Sequence, residues 1–286
     1  MASFKTYLAA TAALLTVGVT DAVHATPFAV GGINFDSLTL TGVIGSATVN
    51  SATVTTSSSA NYAGAAPDAA SASGNLQSGS DVRQATSGPG PFPGSNVFAP
   101  ALTGAGARGD SGIFGQINSN ASAGVVAEGR LLVPSSTAAS AGGTTTGINI
   151  TFTTTGQQAV GLTFFASNFL QATTTEAGDG ASAQINASFT IGSGNTSFLD
   201  FAPVLLNTSV TASGANGNQS VSLGRTFFET SVLLGAGTYQ LSLLSGAQER
   251  VETGAAVVPV PEPVSLALLG SGLIGLGVIR RRSHRA

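Results

Sequence analysis

Between Gln184 and Ile191 the chain reads Gln-Ile-Asn-Ala-Ser-Phe-Thr-Ile, with apolar and small polar side chains in close alternation. A two-residue period fits the pleat of a half-buried β-strand and not the 3.6-residue turn of a helix. The pattern returns at Leu38-Thr39-Leu40-Thr41 and at Gly147-Ile148-Asn149-Ile150-Thr151-Phe152. Residues 125–133, 160–169, 225–234 and 238–244 read as further strands, separated by Gly, Asn, Ser and Thr clusters that mark turns. No Gly-poor run of helical period appears outside the two ends. The expected fold is therefore mainly β, an antiparallel β-sandwich or jelly-roll-like body, with Phe164, Phe165, Phe227 and Phe228 in its core.

Order along this body is expected to be uneven. Residues 57–112 are rich in Ala, Ser, Gly and Pro and short of aliphatic side chains, so little there offsets the entropy of ordering. A long loop or partly disordered insertion is expected. Within it, Arg108-Gly109-Asp110 spells an adhesion tripeptide but reads as a turn. Gly104 to Gly109 matches the dinucleotide fingerprint by letter only, lacking both the strand before it and the helix after it.

The two ends differ from the body. At the N-terminus Lys5 supplies a basic region, Leu8 to Val19 an apolar stretch and Val23-His24-Ala25 a small-residue cleavage pattern. Residues 1–25 thus read as a secretory signal helix removed after Ala25, which implies the Sec translocon and signal peptidase as partners. At the other end Pro259, Pro261 and Pro263 alternate around Glu262, an uncharged run covers residues 264–279, and Arg280, Arg281 and Arg282 follow. The prolines hold their segment extended, and at about 1.5 Å per residue the run spans roughly 24 Å, a short transmembrane helix. The arginines place its C-terminal end in the cytoplasm and the body outside.

Val260-Pro261-Glu262-Pro263, the Gly/Leu-rich segment after it and the arginine cluster together resemble the PEP-CTERM sorting tail of surface proteins in Gram-negative bacteria. The resemblance covers residues 257–286 only. It implies recognition of Val260, Pro261, Glu262 and Pro263 by exosortase, a membrane cysteine transpeptidase. It also implies transient residence in the inner membrane with Arg280 to Arg282 as the cytoplasmic anchor. The final location it implies is the outer surface or an exopolysaccharide matrix such as biofilm. The expected organisation is a signal peptide (1–25), an extracellular all-β body (26–256) and a sorting tail (257–286).

The side chains of the body limit its chemistry. Between residues 26 and 260 there is no His, Cys, Lys, Met or Trp, and five arginines face eleven carboxylates. Nucleophilic systems that need His or Cys cannot be assembled there, and zinc lacks its usual ligands. A net negative body with scattered arginines offers no stripe for phosphates, so nucleic acid is not an expected partner. The expectation is a non-enzymatic protein with no cofactor. Three alternatives stay open. One is a plain tail-anchored surface protein. A second is a carbohydrate- or Ca²⁺-binding sandwich, with Glu176 and Asp179 as weak calcium candidates on one loop. The third is hydrolysis by a carboxylate pair, which needs two acids facing each other across a cleft. Six Asn-x-Ser/Thr triplets, at Asn120, Asn149, Asn186, Asn195, Asn207 and Asn218, are what this composition produces by chance.

Overall fold

The computed structural model describes residues 26–42, 47–63, 65–75, 81–94, 97–115, 121–131 and 139–254. In chain order the strands are β1 (Phe28–Thr41), β2 (Ala47–Tyr62), β3 (Asp68–Asn75), β4 (Asp81–Gly90), β5 (Ala105–Phe114), β6 (Ala121–Arg130) and β7 (Ala139–Thr154). They continue as β8 (Gln158–Thr173), β9 (Gly180–Ser193), β10 (Thr196–Phe201), β11 (Thr208–Ser213), β12 (Asn218–Leu234) and β13 (Gly237–Glu252). Among the described residues the helical content is one 3-10 turn, Val204–Leu206, and no helix is long and apolar enough to cross a membrane.

The strands form a six-stranded sheet in the order β12-β8-β1-β6-β5-β4 and a seven-stranded sheet in the order β10-β9-β13-β7-β2-β3, with β11 also on β9. Every pairing is antiparallel. The two sheets pack face to face, so the protein is mainly β and sandwich-like. Strands expected around 147–152, 160–169, 184–191, 225–234 and 238–244 fall inside β7, β8, β9, β12 and β13.

Between the sheets the interior changes character from one end to the other. One end is filled by large rings: Phe164 and Phe189 lie 4.7 Å apart between centroids, Phe35 lies 5.7 Å from Phe164, and Phe152 stacks on Tyr239 at 5.8 Å. At the other end the sheets come close enough for hydroxyls to cross the gap. Ser58 of β2 and Ser111 of β5 are 3.0 Å apart, and the Thr144 hydroxyl of β7 donates to the Asp110 carbonyl of β5 at 3.0 Å. A Cβ on Gly109 would sit 2.8 Å from the Gly143 carbonyl oxygen, so no larger residue fits without moving the opposite sheet.

That narrow end overturns the expectation for residues 57–112. Instead of a long loop, the stretch contains the end of β2, then β3, β4 and β5. Its poverty in aliphatic side chains reflects how little room lies between the sheets: Ala60, Ala85 and Ala107 form a small buried cluster of their own. The phenylalanines also divide. Phe164 is buried and Phe228 packs half-buried against the core, but Phe165 is only partly covered and Phe227 stays 51% exposed. The reason is their place near an uncovered edge: alternation sends Phe165 and Phe227, paired across β8 and β12, to the outer face.

Candidate functional site

On the outer face of the six-stranded sheet, residues 97–102 lie over β5 and β6 and seal a cluster of charge beneath them. Arg108 of β5 is fully buried, and it spends its N–H groups in four directions. Its Nε donates to Glu128 Oε2 at 2.8 Å, one terminal nitrogen to Asp110 Oδ2 at 2.7 Å and to the Val97 carbonyl at 3.1 Å, and the other to the Ala99 carbonyl at 2.6 Å. Glu128 of β6 accepts from the backbone N–H groups of Ala101 and Leu102 at 3.1 and 2.9 Å. One ion pair thus satisfies four backbone groups of a segment that has no ladder of its own.

The cluster holds one cation and two carboxylates. Burial pushes the Asp110 carboxyl up to about 6, against the opposing pull of Arg108, and its Oδ1 has no hydrogen-bond partner. A proton on Asp110 leaves Arg108 and Glu128 as a balanced pair. On the inner face, Glu249 of β13 lies among Ser140, Gly142 and Gly129, where a Cβ on Gly129 would sit 2.3 Å from Glu249 Oε2. Burial pushes this carboxyl well above the usual range, Ser140 pulling the other way, which favours the neutral acid over the carboxylate. Asp110, Glu128 and Glu249 are 0%, 1% and 4% exposed, so these acids are almost entirely closed off from solvent.

The outer face of the seven-stranded sheet carries a trough of about 840 Å³ running across β3, β2, β7, β13, β9 and β11. Strand alternation points Ser59 and Asn61, Gln248 and Arg250, Ser182 and Gln184 into it, with Gly143 in the floor. Amides and hydroxyls line it together with Arg250 and Asp68, and it has no aromatic platform. The arrangement suits hydrogen bonding to a polar chain; the Asp68 carboxylate at its β3 end accepts from the Thr86 N–H, and Glu249 is buried beneath the floor.

Asp179 and Glu176 do fall in one turn, but the Asp179 carboxylate is engaged there. Its Oδ2 accepts from the Thr175 N–H and hydroxyl, both at 3.2 Å, and from the Glu176 N–H at 2.9 Å. This fastens the turn from its C-terminal end. Among the described residues no group of three or more His, Cys, Asp and Glu is placed to hold a metal ion. Asn207 braces the chain on both sides, accepting from the Ala187 N–H and donating to the Ala187 and Pro203 carbonyls. Ala25, the motif Val260, Pro261, Glu262 and Pro263, residues 264–279 and Arg280 to Arg282 lie outside the described residues.

Arg108-Gly109-Asp110, expected as a turn, is instead the middle of buried strand β5, with Arg108 and Asp110 facing the covering segment and Gly109 the opposite sheet. The ionic latch was missed because a glycine-rich context masks alternation. A usable signal was present: Ala105, Ala107, Gly109, Ser111 and Ile113 are small or apolar at every second position, and Glu128 interrupts the apolar run Val125-Val126-Ala127. A buried acid in one strand calls for a buried base in its neighbour. No model of a known protein family matches the chain, and no curated protein matches it.

Proposed function

We propose that this chain is an exported, non-enzymatic surface or matrix protein, delivered by a C-terminal sorting signal and retained among exopolysaccharide in a biofilm. In this reading a jelly-roll-like sandwich travels between a cleaved signal helix and a transmembrane helix. An exosortase-type transpeptidase acts near Val260 to Pro263 while Arg280 to Arg282 hold the tail in the inner membrane of a Gram-negative bacterium. The observation that carries the reading is the order of the tail: Pro-Glu-Pro, an uncharged run, then three arginines. The body supports it through its chemistry. It has no thiol, imidazole or amine side chain, its clustered acids are closed off from solvent, and its broad outer face is hydroxyl- and amide-rich.

Mass spectrometry of the protein recovered from its producer tests the reading. Termini near Thr26 and near the proline motif are expected, and Glu262→Ala should leave the precursor in the inner membrane. An intact tail on the mature protein would favour a plain tail anchor instead. A second reading, a carbohydrate-binding sandwich, is favoured by the trough alone. Calorimetry against the producer's own polysaccharide, with Gln248→Ala and Gln184→Ala as controls, separates it from a purely structural role. Calcium has less support, because the Asp179 carboxylate is already committed to its turn.

A further inference from the structure

We propose that β12 is a self-association edge, pairing antiparallel with β12 of a second copy about a two-fold axis at Phe227 and joining two six-stranded sheets into one. The inference rests on the geometry of this edge and not on the sorting reading. Among the described strands β8 is the only partner of β12, so one side of a seventeen-residue strand presents unpaired N–H and C=O groups. The usual protections of such an edge are thin here: β12 contains no proline and no lysine, and its inward side chains Thr226, Phe228, Thr230 and Val232 are uncharged and only half covered. A bulge takes up Gly224 and Arg225, which have no register partner on β8, so Arg225 stands at the end of the regular segment, and from Thr226 onward the register with β8 is unbroken to Leu234.

The occupant follows from the side chains. An antiparallel two-fold at Phe227 sets residue 225 opposite 229 of the other copy, and this strand has Arg225 at one position and Glu229 at the other. Both face outward with Phe227. Arg225 lies over the Phe165 ring at 3.6 Å, and only its Nε is taken up, by Asp36 at 3.3 Å, which leaves terminal N–H groups for a second carboxylate. Glu229 has no partner among the described residues. Phe227, already 5.2 Å from Phe165, would meet its own copy and extend a row of four rings across the seam. A seam centred on Thr230 would also keep outward residues outward, but it leaves both charges without a counterpart and brings the two Glu229 carboxylates onto the same diagonal. Charge selects Phe227.

Sedimentation of the full chain in mild detergent, over about 1–100 µM, is the test, since a seam this small supports a weak dimer. Wild type should dimerise in that range. Glu229→Arg, an exposed substitution that leaves the fold intact by circular dichroism, should weaken the dimer by about tenfold, and Arg225→Glu combined with Glu229→Arg should restore it to within about threefold. The chain has no cysteine, so Phe227→Cys introduces a sole thiol that should cross-link two copies on oxidation, whereas Thr230→Cys should not. A wild type that stays monomeric at about 100 µM, a Glu229→Arg dimer as tight as wild type, a double variant without recovery, or cross-linking at 230 but not 227 would each overturn the proposal.

Discussion

The two lateral edges of this sandwich are finished in opposite ways. At the β3–β4 side, side chains tie the sheets together: the Ser58 hydroxyl donates to the Arg83 carbonyl at 3.0 Å, the Ser87 hydroxyl to the Ala66 carbonyl at 2.7 Å, and Asp68 accepts from the Thr86 N–H at 2.9 Å. Next to it, the Arg108–Glu128 pair pins residues 97–102 over the face. At the β12 side the ties sit at one end only, where Asn168 of β8 accepts from the Leu223 N–H and donates to the Leu205 carbonyl, and along the rest of the strand large apolar side chains such as Phe227 and Leu233 face solvent. A closed edge draws its strength from buried polar contacts, which are costly to break. An open edge contributes little to the monomer and keeps its pairing capacity for something else.

The sharpest way to break this contrast is Arg108→Met. Removing the cation leaves Glu128 and Asp110 buried without a counter-charge and should cost about 3–5 kcal/mol, a large share of a domain's stability. Urea unfolding measures the loss, and proteolysis should newly cut within residues 97–102. A loss no greater than that of an exposed substitution would mean the latch contributes nothing. Acidity gives the next effect. Because the folded Asp110 pKa is raised, from 3.8 to about 6, the native state keeps a proton that the unfolded chain releases. Stability from this group is therefore full below about pH 4 and falls as pH rises to about 6, by up to about 3 kcal/mol. Glu249, raised for the same reason, adds to the decline. Stability measured from pH 4 to 8 should drop, and Glu249→Gln should flatten the curve.

Smaller still is Ser87→Ala, which removes the partner of both the Ala66 carbonyl and the Tyr62 N–H. The expected cost is about 1–2 kcal/mol in thermal or urea unfolding. Phe227→Ser, at the open edge, should change monomer stability by less than about 0.5 kcal/mol although a far larger side chain is lost. If Phe227→Ser proved costlier than Ser87→Ala in dilute solution, the distinction between the two edges would fail.

Legibility in the sequence follows the same division. Strands β7, β8, β9 and β13 stood out because the wide end of the interior takes Ile148, Phe152, Phe164, Phe189 and Leu241, which contrast with the Thr, Ser and Asn between them. Strands β3, β4 and β5 did not, because at the narrow end the inward residues are Ala, Gly and Ser and resemble the outward ones. The same closeness hid the latch, since Arg108 and Asp110 are letters that normally mean surface. Edge exposure was also illegible: nothing in Phe227 and Phe228 says which ring faces water until the partner strand and its register are known.

The tapering interior sets unequal rules for change over time. Around Phe164 and Phe189 a ring can be exchanged for a branched aliphatic, with neighbours relaxing into the space. Where Gly109 meets Gly143 even one added methyl group would push the layers apart, so drift is possible there only among the smallest residues. Divergent relatives of this protein should therefore keep a tiny-residue signature along Ser58, Gly109, Ser111 and Gly142, where a Cβ would sit 2.7 Å from the Arg108 carbonyl oxygen, long after the aromatic end has been rewritten.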